Sequence, residues 1–219
     1  MSEPRSGGAY DELLALLRGR RSVRRFLPEP VSEEDVRRLL EAARWAPSPT
    51  NRQPWRFAVV RETERKTRMR EAVAEAARTA AASVGGMVEE GMAPYAAMFE
   101  AFEQAPVVVA VLARRPSRVA ARLGAGLSDT ERAALAGDLP AVGAAIQSLL
   151  LAAHALGLGA CWMSGPLLAA PDLRAILGGP PTLDLVALIP VGRPAETPEA
   201  PPRRDAEQLL VGRKGTGPA

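Results

Sequence analysis

The spacing of apolar residues changes period along the chain, and each change marks an element. Residues 10–18 (YDELLALLR) bring Leu13, Leu14, Leu16 and Leu17 to helical spacing, with Gly19 as a terminator. Residues 31–47 (VSEEDVRRLLEAARWAP) carry a helix start: Ser32 precedes acidic residues, with Asp35 three positions on, and Val36, Leu39, Leu40 and Ala43 form an apolar stripe. That helix must end near Pro47. Residues 55–62 (WRFAVVRE) are short and β-rich and predict a strand. Helical composition returns over 64–84, closed by Gly85 and Gly86.

The second half repeats the alternation. Residues 105–113 (APVVVAVLA) are apolar enough for a central strand. Residues 139–160 predict a long buried helix ending at Gly157 or Gly159, and 160–165 (ACWMSG) a short strand leading into a turn. Residues 170–178 (APDLRAILG) predict a helix with Pro171 near its first position and Asp172 in its first turn. A further strand is expected over 183–192 (LDLVALIPVG). Alternating strands and helices favour a layered α/β domain. The 219 residues suit a single domain, 1–219, in which about 87–130 is set apart as a flap or insertion and 195–219 as an extended, proline- and arginine-rich tail.

Composition narrows the function classes. A hydrophobic share of 47% and a charged share of 24% fit a globular protein. The net charge of +3 argues against nucleic-acid binding, which needs a strong basic stripe. One cysteine, Cys161, permits no intrachain disulfide, and with one histidine it leaves no Cys/His zinc site within a chain. The start MSEPRSGGAYDELL lacks the apolar region of a signal peptide, and the longest apolar run is broken by Gln147, Ser148 and His154. The expectation is a cytoplasmic protein with no membrane partner.

Two stretches carry candidate chemistry. In GRRSVRRF (19–26), alternate residues of an extended segment share a face, so Arg20, Ser22 and Arg24 line one side. Two guanidiniums flanking a hydroxyl suit a phosphate, although arginines beside a helix end also serve simply to offset its dipole. No phosphate-binding glycine loop opens a helix after a strand, so any phosphate is held by side chains. In APSPTNRQPWRF (46–57), Asn51 and Gln53 offer amides beside the flat wall of Trp55, which suits a planar heterocycle, while the same residues also make ordinary turns. His154 and Cys161 read as packing residues, as do Trp45 and Trp162, with a place beside a cofactor open to Trp162. The soft apolar segment 87–104 reads as helix packing or as a flap forming an adaptable substrate wall, with Tyr95, Phe99 and Phe102 as its candidates.

Taken together, RRSVRRF, APSPTNRQPWRF, GLGACWMSGP and ALIPVGRP resemble the nitroreductase family of flavin enzymes, over about Tyr10 to Arg204. The resemblance implies an α+β fold with a central mixed β-sheet flanked by helices. It also implies an intertwined homodimer with two FMN sites, each built from both chains. Arg20, Arg21 and Ser22 match the phosphate and ribityl region, and Arg24 the basic residue near the flavin pyrimidine edge. Ser48, Thr50 and Asn51 match the loop that reaches the other subunit's flavin. Ser164 and Gly165 match the turn facing N5 and O4, where Ser164 replaces an acidic residue found in some members. Arg203 and Arg204 are candidates for a C-terminal basic pair on the phosphate.

The activity so implied is two-electron, ping-pong transfer from NADH or NADPH through FMN to a small acceptor such as a nitroaromatic or quinone. The flavin does the chemistry, Arg24 supplies electrostatic support, and no catalytic side chain or metal is required. Alternatives are a dehalogenase, a flavin-fragmenting enzyme, a deazaflavin reductase or a peptide-ring oxidase of the same fold, or a flavin-binding module without turnover.

Overall fold

The computed structural model describes residues 7–84, 98–114, 126–128 and 138–211. The elements are α1 (Gly7–Gly19), α2 (Glu33–Arg44), β1 (Trp55–Val60), α3 (Thr63–Val84), β2 (Val107–Arg114), α4 (Asp138–Ala155), β3 (Gly159–Ala160), α5 (Ala170–Ile176) and β4 (Leu183–Gly192). Short 3₁₀ turns lie at Pro49–Asn51, Ala101–Gln104, Gly165–Ala169 and Ala206–Leu209.

The strands order as β1-β2-β4-β3, and each described pairing between them is antiparallel. The parallel component of the sheet is a single bridge, Ser22 to Ala160. The architecture is therefore α+β and not the layered parallel type that alternation alone favours. In β2, Val107–Ala113 are buried on both faces, as a central strand requires. Its odd-numbered side chains (Val107, Val109, Val111, Ala113) join a core with Leu39 of α2 and Ile146 and Leu149 of α4. The even-numbered ones (Val108, Ala110, Leu112) join Met69 and Val73 of α3 and Leu173 of α5. Three layers result, helices on both faces of one sheet. A bulge keeps the alternation in phase: Val111 pairs with Ala187 and Leu112 with Leu185, leaving Val186 unopposed.

Local chemistry explains the boundaries. Ser32 sits in extended conformation, and its Oγ accepts the Asp35 N–H at 2.9 Å while donating to the Asp35 carboxylate at 2.8 Å. Gly157, at φ +71, closes α4: its N–H bonds His154 O, and the Leu158 N–H reaches back to Ala153 O at 2.8 Å. Pro190 is tolerated inside β4 for a geometric reason. Leu188 donates to Met163 O on the β3 side, and Pro190, two residues on, faces that same sparsely paired side, where its missing N–H breaks no described ladder bond.

Several expectations change here. α4 is in fact long and apolar enough to cross a membrane, with 18 residues and mean hydropathy 1.2. Seven of its residues are nevertheless buried in this chain's own core, so it is the central helix of the domain. The stretch 87–130 is not one excursion, because β2 lies inside it at the centre of the sheet. Tyr95 and the rest of 87–97, as well as 115–125, fall outside the described residues. Beyond β4, residues 193–205 run without regular structure before the turn at Ala206–Leu209, and 199–211 are exposed throughout.

Candidate active site

The basic segment lies along the sheet edge through two isolated bridges, Ser22 to Ala160 and Phe26 to Pro194. Val23 N–H donates to Ala160 O at 3.1 Å, Leu27 N–H to Arg193 O at 2.9 Å, and Ala195 N–H to Arg25 O at 2.9 Å. The segment thus bridges β3 and the chain leaving β4. Val23 is buried against Gly159, where a Cβ would stand 2.7 Å from Val23 Cγ1; the glycine is required for this close approach. Glu196, which carries no local signal in its proline-rich setting, locks the segment from the far end of the chain. Its Oε1 accepts the backbone N–H groups of Arg24 (2.8 Å) and Arg25 (3.2 Å).

Arg20 still bonds back into α1 through its N–H to Leu16 O, and Arg20, Ser22 and Arg24 all lie near the buried Cys161. All three act on the buried Cys161: burial raises the thiol pKa, while the Arg24 charge, the polar Ser22 side chain and the Arg20 charge oppose that rise. The net effect keeps the thiol protonated, so Cys161 is a packing residue near these groups and not a reactive thiolate. Arg21, also in the expected binding set, has partners of its own. Its Nη1 donates to Arg18 O (2.6 Å) and Arg20 O (2.9 Å), turning the guanidinium back onto the C-terminus of α1. A cleft of about 250 Å³ opens beside Arg20, bounded by His154, Leu158 and Glu196. His154 packs against Gly19, where a Cβ would stand 2.6 Å from His154 Nε2.

The loop 48–53 projects Thr50 and Asn51 as exposed residues, with Ser48 half-buried. Thr50, Asn51 and Gln53 all adopt left-handed backbone, at φ 50, 54 and 48. For a β-branched threonine this is costly, and such strain concentrates at functional loops. Side chains hold the shape: Ser48 Oγ accepts the Gln53 N–H at 3.0 Å, and Asn51 Oδ1 accepts Gln53 Nε2 at 3.1 Å.

Downstream of Cys161, Met163 bridges to Leu188, and the chain turns at Ser164 and Gly165. Ser164 is exposed; Gly165 is half-buried, with the half-buried ring of Phe99 lying directly over it. Phe102 is different: it is fully buried among the α3 and β2 side chains, so it is a core residue and not part of a substrate wall. Arg203 and Arg204 are exposed on the tail, and among the described residues no hydrogen bond or ion pair joins them to the segment 20–24.

The sequence model described as "Nitroreductase family" matches residues 17–193. The chain belongs to the nitroreductase family. Among its nitroreductase-family relatives, 5,6-dimethylbenzimidazole synthase of Rhodospirillum rubrum is 35% identical over 188 residues, 85% of this chain and 83% of that protein. An NADH dehydrogenase of Thermus thermophilus is 33% identical over 199 residues, 89% of this chain and 92% of that protein. A crystal structure from Desulfovibrio desulfuricans, of a protein assigned as a nitroreductase in complex with FMN, superposes with a TM-score of 0.63 at 31% identity, covering 92% of this chain and 96% of that one. The matched region contains the basic segment, the strained loop and the Ser164–Gly165 turn of this nitroreductase-family protein.

Proposed function

We propose that this protein is an FMN-dependent NAD(P)H oxidoreductase, active as an intertwined cytoplasmic homodimer with a composite site. The observation that carries the reading is that Arg20, Ser22 and Arg24 gather around Cys161, on the chain that leads to the Ser164–Gly165 turn. That donor set fits FMN: a cation and a hydroxyl, Arg20 and Ser22, for its phosphate end, a second cation, Arg24, for its pyrimidine end, and an exposed turn for the N5 edge of its ring. Bound FMN would supply two-electron transfer from NADH or NADPH to a small acceptor such as a nitroaromatic or quinone, in ping-pong order.

The chain's own residues do the rest. Arg20 and Ser22 bind the phosphate and ribityl region through charge-assisted and neutral hydrogen bonds. Arg24 holds positive charge at the pyrimidine end, where a shielded cation is worth on the order of a few kcal/mol toward developing negative charge. Backbone N–H groups of Ser164 and Gly165 serve the N5 and O4 edge. Ser48, Thr50 and Asn51 serve the partner copy's site, and Arg203 and Arg204 reach a phosphate only across the dimer. The exposed Tyr10, Leu13 and Leu17 of α1, together with Trp162 and Leu139, supply apolar surface for that second copy.

The test is the visible spectrum of the purified protein with added FMN, then the rate at which NADH and NADPH bleach it, with sedimentation for the assembly. A retained chromophore, prompt bleaching by one reductant and a dimer are expected. No chromophore at micromolar protein, or a stable monomer, overturns the reading. A second reading, benzimidazole formation, draws support from the Rhodospirillum rubrum relative. Mass spectrometry of aerobic reactions separates the two: accumulation of 5,6-dimethylbenzimidazole favours the second.

A further inference from the structure

Asp138 is the buried carboxylate among the described residues, 7% exposed in the first turn of α4. Its Oδ1 lies 3.2 Å from Arg52 Nη2, yet outside hydrogen-bonding geometry, so charge holds the pair together. Arg52 is half-exposed and stands inside the loop 48–53, flanked by the left-handed Asn51 and Gln53. With one partner buried and the other half-exposed, desolvation of Asp138 and screening at Arg52 offset most of the attraction, so the pair gains little stability; the best-attested use of such a pair is to fix one arrangement among several. Here there is an arrangement to fix. Three non-glycine residues in left-handed conformation persist only where their surroundings over-determine them. Ser48 and Asn51 restrain the loop from within, and Arg56 Nη1 donates to Gln53 O at 3.2 Å at its base. The Asp138 carboxylate ties it to α4, a rigid element of the core.

We propose that Asp138 is a positioning residue: acting through Arg52, it sets the loop so that Ser48, Thr50 and Asn51 meet the flavin of the partner copy. The inference rests on the flavin reading above, and it concerns residues that the sequence motifs did not single out. It also gives a reason for a carboxylate at the buried start of a helix that carries no other acidic residue.

The test uses full-length Asp138→Asn, Arg52→Gln, Arg52→Lys and Asn51→Ala. FMN dissociation constants are read by fluorescence quenching, and apo-protein melting is recorded alongside. Asp138→Asn and Arg52→Gln should each weaken FMN binding about tenfold, and the double variant should be no worse than the more damaging single, as coupled groups require. Arg52→Lys, which keeps the charge, should stay within about threefold of wild type. Arg52→Gln alters a half-exposed side chain and should melt as wild type does, which keeps the test valid if Asp138→Asn folds poorly. In the apo protein, trypsin should cut after Arg52 several-fold faster in Asp138→Asn than in wild type. Wild-type FMN affinity in Arg52→Gln with weakened affinity in Asn51→Ala overturns this proposal alone, as does fully additive loss in the double variant. Wild-type protein that retains no FMN overturns the flavin reading and this one with it.

Discussion

The ring of Phe99 occupies the space that a side chain at position 165 would need: a Cβ on Gly165 would stand 2.0 Å from Phe99 Cδ1. Phe99 belongs to the helical stretch before the Ala101–Gln104 turn, and Gly165 follows the short edge strand, so this contact joins two parts of the chain far apart in sequence. Gly165→Ala must push the ring away and should cost about 1–3 kcal/mol by overpacking. Adding Phe99→Ala should recover part of that loss. Urea midpoints of the single and double variants measure it, and equal stability of wild type and Gly165→Ala would show that the ring yields freely.

The arginines of the basic segment should separate by role. Arg20→Ala and Arg24→Ala remove charges from the Arg20–Ser22–Arg24 group and should weaken FMN retention more than they lower apo-protein stability. Arg21→Ala removes a cap on α1 and should do the reverse, with a slightly lower melting temperature and unchanged FMN affinity. Fluorescence titration and thermal melts of the three variants decide this; equal effects on FMN would keep Arg21 in the binding set.

Cys161 should be inert in the native protein. Burial holds its thiol pKa above the ordinary value, and the Arg24 charge, the polar Ser22 side chain and the Arg20 charge do not reverse that. A chromogenic disulfide reagent at mildly alkaline pH should report no native thiol and one per chain after unfolding, since the chain has one cysteine. Labelling of the folded protein within minutes would mean that the segment opens readily.

Lys66 makes stability depend on alkaline pH. It is buried, its Nζ donates to Ala105 O at 2.7 Å, and burial lowers its pKa from 10.5, with Glu103 opposing. A cation that holds its proton less tightly when folded leaves the unfolded chain with more bound protons. Stability therefore rises with pH through the window between the lowered folded pKa and the ordinary value of 10.5. Relative to Lys66→Met, wild type should gain in denaturation midpoint as pH climbs toward that value. A flat difference between the two would show that the lysine titrates normally.

Much of the fold could be read locally. Ser32 and the acidic first turn placed the start of α2, a glycine at 157 or 159 bounded the end of α4, and the unbroken apolar run of 107–113 marked a central strand. These signals are short-range, because caps and periodicity act within one or two turns. Alternation misled on topology, since it carries no information on strand direction: β2 returns antiparallel beside both β1 and β4. It also gave no reason to separate Phe99 from Phe102, which sit three residues apart on opposite sides of the core boundary.

The candidate site divides along the same line. From residue types and order alone came the candidate set of Arg20, Ser22 and Arg24, the polar loop 48–53 and the Ser164–Gly165 turn, because alternation in an extended segment and turn chemistry are properties of neighbours. Tertiary structure alone decided that Arg21 turns back onto α1, that Glu196 holds the backbone of Arg24 and Arg25, and that Asp138 meets Arg52. The physical reason is that a charge or an orphan backbone group finds its partner through space, and folding brings together residues whose separation along the chain leaves no trace in any local pattern.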